Sequence, residues 1–77
     1  MPKNLSSKDV ALIMGEIGIT FKRHGKEDVF TGENKGIMRI VIVPRNKRHI
    51  PSGTLSSIWR QAGITKAEAD EVWDKIR

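Results

Sequence analysis

The chain contains no cysteine, and its only two histidines stand at positions 24 and 49. Without thiols it can form neither a disulfide nor a thiolate-bound metal site, and two histidines so far apart argue against a zinc site. The sequence therefore predicts a cytoplasmic protein that carries no metal and no cofactor.

Long apolar runs are also missing. No stretch approaches the length that crosses a bilayer, and the N-terminus has no apolar core of the kind found in a secretory signal. Gly32, Gly36 and Gly53 lack the spacing of a nucleotide-binding loop. These absences argue against a membrane partner and against a phosphate-binding glycine loop.

Acidic side chains are scarce in the first two-thirds of the chain. The 77 residues include 14 Lys and Arg against 9 Asp and Glu, which gives a net charge of +5. Residues 1–50 hold ten basic and five acidic side chains, whereas residues 51–77 hold four of each. This asymmetry indicates a polyanion or an acidic protein as partner, with ordinary solubility charge as the simpler alternative. A chain this short forms one domain, residues 1–77, with a small core.

Apolar residues at helical spacing predict a first helix over residues 7–17, after a frayed segment over residues 1–5. Ser6 and Asp9 approximate a capping box at the start of this helix. Gly18 fits the position just beyond its end, where a left-handed backbone conformation is common.

Three strands are predicted next. Alternation over residues 19–23 indicates a short strand, and residues 29–31 have strand composition. Residues 32–36 are rich in turn formers and predict a hairpin loop. Residues 37–43 give the strongest strand signal, which Pro44 ends because it has no N–H for the ladder. Together these segments predict a three-stranded antiparallel meander.

Two further helices follow the meander. The second is predicted from a cap at Ser52 to Ala62, and the third begins at a capping box formed by Thr65 and Glu68. Trp59 and Trp73 fall on the apolar faces of these helices, so they are predicted to belong to the core rather than to stack on bases.

This order predicts an α+β fold, α-β-β-β-α with an extra C-terminal helix, which resembles the double-stranded-RNA-binding domain. The first two helices are expected to cover one face of the sheet, and the third to extend the core. The other face is expected to be open, with Lys22 and Arg39 available for contact.

A basic loop separates the third strand from the second helix. Arg45, Lys47 and Arg48 supply three cations within four residues, and His49 follows them. Such a cluster before a helix N-terminus is suited to binding phosphates. The alternative is a solvated loop that keeps a small protein soluble.

Residues 24–28 are the candidates for chemistry. A histidine and a carboxylate can cleave RNA without a metal, because a base takes the proton of the 2′-hydroxyl and an acid protonates the leaving oxygen. Glu27 paired with His24 or with His49 has this capacity. The alternative is that both His24 and Glu27 are ordinary turn residues.

Over roughly residues 6–72, the chain resembles HicA-type mRNA interferase toxins of type II toxin–antitoxin systems. The resemblance is carried by the helix ending in Gly18, by Gly25 with Val29-Phe30, and by Val43-Pro44-Arg45. It is most specific in the block from Ile50-Pro51-Ser52-Gly53-Thr54-Leu55 to Ile58-Trp59-Arg60-Gln61-Ala62-Gly63-Ile64. It implies the double-stranded-RNA-binding-like fold, metal-independent cleavage of mRNA and neutralisation by a HicB-type antitoxin.

The resemblance fails at one position. Alignment on Gly25 and Phe30 puts Glu27 where the family has its catalytic histidine. Three hypotheses follow: a toxin inactivated naturally or by engineering, Glu27 acting as the base, or His24 taking over the role. A non-catalytic RNA-binding module is the alternative function, and a pure protein-interaction domain is a third. The predicted RNA-binding residues are Lys22, Lys26, Arg45, Lys47, Arg48 and His49.

Overall fold

The computed structural model describes residues 5–76 and confirms the predicted α+β fold. Its elements run in the order helix, three strands, helix, helix. They are α1 (Ser7–Glu16), β1 (Thr20–Arg23), β2 (Glu27–Asn34), β3 (Ile37–Pro44), α2 (Ser52–Ala62) and α3 (Lys66–Ile76).

The sheet is the predicted antiparallel meander, with the strands in the order β1-β2-β3. The predicted boundaries of β2 are wrong, because the strand runs from Glu27 to Asn34 instead of covering residues 29–31. The predicted loop over residues 32–36 shrinks to a two-residue turn, Lys35-Gly36, with φ of 57° and 77°. Two successive positive φ angles are what a tight hairpin between right-twisted strands requires.

The helix ends follow local chemistry, with one exception. Ser6 caps α1, and the reciprocal bonds with Asp9 form the predicted capping box. The predicted box of Thr65 and Glu68 is also present before α3. The predicted cap at Ser52 is wrong: Pro51 occupies the N-cap of α2, no side chain caps it, and Ser52 is already helical. Proline suits this end because its fixed φ and missing N–H cost nothing there.

The core lies on one face of the sheet. Phe30 and Val41 are register partners that point inward, while α1 and α2 contact the sheet and α3 packs mainly on α1. Both tryptophans pack as predicted, Trp59 buried and Trp73 half-buried against the core. Leu5 is buried too, and its carbonyl accepts a hydrogen bond from Ile50, so the prediction of fraying is wrong for that residue. Residues 1–4, the rest of that predicted segment, lie outside the described residues.

The other face of the sheet is open and apolar. Met38 and Ile40 are exposed there, since residues of a strand alternate between its faces. The prediction that Arg39 lies on this face is wrong, because Val41 and Val43 are in the core and Arg39 shares their face. Its guanidinium lies against Gly63, and its Nε donates to the carbonyl of Asn34.

The β2–β3 hairpin is fastened to the ends of two helices. The Asn34 side chain donates to the carbonyl of Ala62 at 2.8 Å, where α2 leaves carbonyls without helical partners. Lys35 Nζ lies 2.8 Å from Glu68 Oε1 at the start of α3. The hydrogen bond from Lys35 and the backbone hydrogen bond from Thr65 lower the pKa of Glu68. Within residues 5–76, no helix is both long and apolar enough to cross a membrane.

Candidate functional site

The basic loop is anchored to the start of α1. The Ser7 hydroxyl donates to the carbonyl of Pro44 and accepts from the backbone N–H of Lys47 at 3.0 Å. The Ser7 N–H in turn donates to the carbonyl of Lys47 at 2.9 Å. Asn46 takes a left-handed conformation, with φ of 53°, a conformation that asparagine tolerates better than most residues. These contacts fix the backbone of the loop, while the long side chains of Lys47 and Arg48 remain exposed.

A groove of about 420 Å³ runs between this loop and α1. Three of its lining residues are cationic: Lys8, Lys47 and Arg48. Sequence reasoning missed Lys8 because the loop and α1 are distant in the chain. The sequence does contain one signal for Lys8. Lys8 lies in the first turn of α1, where a cation interacts unfavourably with the helix dipole, so its presence there indicates a function other than helix stability. The groove is lined by Ser6, Ser7, Lys8, Ala11, Asp28, Asn46, Lys47 and Arg48.

His24 lies beside this groove and is paired with Asp28. Its Nδ1 is 2.7 Å from Asp28 Oδ1, and the imidazole side chain is 62% exposed. When Nδ1 carries the proton and donates a hydrogen bond to this carboxylate, Nε2 presents a lone pair. Within residues 5–76, no hydrogen bond reaches Nε2. The pair can therefore accept a proton from a bound molecule.

Arg45 braces the same turn. Its Nη1 donates to the carbonyl of Gly25 at 3.1 Å, and its Nε lies 3.5 Å from Asp28 Oδ1. The predicted phosphate-binding arginine therefore already has two partners within the protein. Its contacts hold Asp28, and through Asp28 they hold His24.

Glu27 faces a different part of the molecule. It opens β2 beside Asp28, and adjacent residues of a strand point to opposite faces. Glu27 lines a second groove, of about 410 Å³, with Ile42 and the first turns of α2. In the described part of the chain, no hydrogen bond joins Glu27 to His24 or to His49. The structure thus brings His24 together with Asp28 and not with Glu27.

The remaining predicted site residues are exposed, and none of them lines the first groove. The side chains of Lys22, Lys26 and His49 make no hydrogen bond or ion pair with any residue from 5 to 76. Lys22 is the extra residue of a β-bulge, since Phe21 pairs with Phe30 while Arg23 pairs with Val29. Over the same described range, no three His, Cys, Asp or Glu side chains are grouped as a metal site.

Comparison with known proteins bears on this arrangement. The family model described as the HicA toxin of bacterial toxin–antitoxin systems matches residues 7–64, from the first residue of α1 to just beyond α2. A comparison with curated proteins returned no match. The matched region contains the His24–Asp28 pair, the basic loop and every lining residue of both grooves except Ser6, and it covers most of the 77 residues. The chain belongs to the HicA family of bacterial toxins, which act in toxin–antitoxin systems.

Proposed function

We propose that this chain is a ribonuclease toxin that cleaves mRNA at the His24–Asp28 pair. The observation that carries the proposal is the position of that pair beside a groove lined by Lys8, Lys47 and Arg48. An exposed imidazole held by a carboxylate supplies a base, and the cations supply contacts for the RNA backbone. Single-stranded or locally structured mRNA is the substrate class.

The reaction follows from the chemistry of RNA. His24 Nε2 takes the proton of a 2′-hydroxyl, and the 2′-oxygen attacks the adjacent phosphorus. The bond from phosphorus to the 5′-oxygen breaks, leaving a 2′,3′-cyclic phosphate and a 5′-hydroxyl, whose proton comes from solvent in the simplest scheme. Asp28 orients the imidazole and stabilises its protonated form. The nearby cations offset charge that develops on the phosphoryl oxygens.

The antitoxin partner that family membership implies is proposed to be a HicB-type protein. Acidic groups on such a protein would meet Lys8, Lys47 and Arg48 and cover the groove, so that RNA and antitoxin compete for one surface. The excess of basic residues in the first two-thirds of the chain supports this choice of partner.

A disabled toxin that only binds RNA is the second candidate. The observation favouring it is Glu27, which stands where the resemblance to HicA toxins expects histidine and which lines the groove beside α2. In this case the groove beside α2 would be the original catalytic centre, and the His24–Asp28 pair would serve only to brace the turn.

One cleavage assay separates the two candidates. The purified chain is incubated with a long RNA in excess EDTA, beside Glu27→His. We expect the unmodified chain to cleave, because its base is His24 and its scheme uses no metal. An inert unmodified chain together with an active Glu27→His variant would establish the disabled toxin instead. Cleavage that occurs only with added Mg²⁺ would overturn the metal-independent scheme.

RNA affinity is expected to depend on the groove in a measurable way. Replacing Lys47 and Arg48 together by alanine removes two phosphate contacts. The slope of log affinity against log salt should become shallower by about 1.4 for a single strand. The measurement is fluorescence anisotropy of a labelled RNA over a salt series.

Lys66→Ala with Lys75→Ala is the matched control for this prediction. It removes the same charge from α3, and neither lysine lines the groove. A shift of equal size in both double variants would mean that net charge, and not the groove, attracts the RNA. Arg45 is left out of the series because its loss would also release the turn that holds His24.

A further inference from the structure

Phe21 is an exposed aromatic side chain at the edge of the candidate site. The chain has two Phe, two Trp and no Tyr. Phe30 and Trp59 are buried and Trp73 is half-buried, whereas 46% of Phe21 is exposed. Phe21 is therefore the one exposed Phe or Trp ring in residues 5–76, and it lies next to the proposed catalytic histidine. Single exposed apolar side chains are common at protein surfaces, so what distinguishes Phe21 is its position beside His24.

The ring of Phe21 packs against two other rings. Its centroid is 5.7 Å from that of Phe30 in an edge-on arrangement at 77°, and Phe30 is 4% exposed. The centroid of the His24 ring lies 4.5 Å from that of Phe21, with the two ring planes at 51°. The β-bulge at Lys22 follows Phe21 directly, between the regular pair Phe21–Phe30 and the pair Arg23–Val29. The three rings form a fixed series from the core to the surface.

We propose that Phe21 is a stacking platform for one nucleobase of the RNA. The inference rests on the proposed function, since it places a base next to the imidazole that takes the 2′-hydroxyl proton. Proteins bind splayed single-stranded bases by stacking them on exposed aromatic rings. Phe21 fixes one nucleotide, and the cations of the groove hold the backbone beyond it.

This role has a chemical signature that phosphate binding lacks. Every base has an aromatic face, so the platform tolerates all four bases but fails with a strand that has none. Contacts from Lys8, Lys47 and Arg48 depend on phosphates and are indifferent to the loss of bases. Phe21 is thus a positioning residue with its own ligand, the nucleobase.

The test compares two uncleavable strands with the same number of phosphates. One is a short single-stranded 2′-fluoro RNA, and the other consists of abasic tetrahydrofuran spacers. The unmodified chain should bind the base-containing strand about tenfold more tightly. In Phe21→Leu the difference should fall to about twofold while affinity for the abasic strand is unchanged, and in Phe21→Trp the difference should persist.

The outcomes separate this inference from the function on which it rests. Equal binding of the two strands by the unmodified chain would overturn the platform and leave RNA binding intact, as would an unchanged difference in Phe21→Leu. No binding of either strand at low salt would overturn RNA binding and the platform with it. Thermal melting identifies a variant that fails to fold, and Phe21→Trp, which keeps an aromatic ring, then decides the question.

Discussion

Replacing His24 by alanine is expected to lower the rate of RNA cleavage by about 10²- to 10⁴-fold, the range that a positioned general base contributes. Within residues 5–76, His24 is the one histidine whose Nδ1 is held by a carboxylate, that of Asp28 at 2.7 Å, and Asp28 lines the groove. The measurement is the initial rate of cleavage of a labelled RNA in excess EDTA.

Two controls make this loss interpretable. RNA affinity of His24→Ala should stay near that of the unmodified chain, because His24 contributes to the base step and the cations of the groove to binding. Asp28→Asn should also lower the rate strongly, because an amide cannot balance the charge of an imidazolium and can donate to Nδ1, which leaves the proton on Nε2. A His24→Ala variant that cleaves at the unmodified rate would remove the His24–Asp28 pair from the mechanism.

Local chemistry explains why most of the fold could be predicted from the sequence. The capping boxes at Ser6 and Thr65 each involve residues three apart, and the apolar run over residues 37–43 can hardly form anything but a strand. Two of the failures involve contacts across the fold. Arg39 lies against Gly63, a neighbour that strand periodicity alone does not reveal. The carbonyl of Leu5 accepts a hydrogen bond from the N–H of Ile50, which is distant in sequence.

The candidate site was only half predictable for the same reason. His24 and the basic loop stood out because of their residue types. Their partners do not stand out in this way, since Lys8 enters the groove from α1 and Asp28 lies directly beside Glu27 in the sequence. The error in the start of β2 had a direct consequence, because a strand that begins at Glu27 sends Glu27 and Asp28 to opposite faces. With the correct boundary, periodicity alone separates Glu27 from Asp28.

Gly32→Ala is expected to be the most destabilising single substitution of a glycine in this chain. Gly32 lies in β2 where the chain between α1 and β1 crosses the strand. An added Cβ would collide with the carbonyl oxygen of Gly18 and lie 2.8 Å from Cα of Ile19. Both neighbours are backbone atoms that cannot rotate away, so we expect a loss of about 3 kcal/mol, at the upper end for overpacking. For a domain of this size the melting temperature should fall by roughly 12–24 °C.

Gly15→Ala provides the matched control, because it adds the same methyl group with the opposite expected sign. Gly15 lies in α1, and a Cβ there would meet nothing within 4 Å. Alanine is the better helix former by about 0.5–1 kcal/mol, so this variant should melt a few degrees higher than the unmodified chain. A Gly32→Ala protein that melts like Gly15→Ala would mean that the crossing is loose. The crossing leads directly into β1, so a loose crossing would also leave the rings of Phe21 and His24 without a fixed relation to Asp28, and the geometry proposed for catalysis would lose its support.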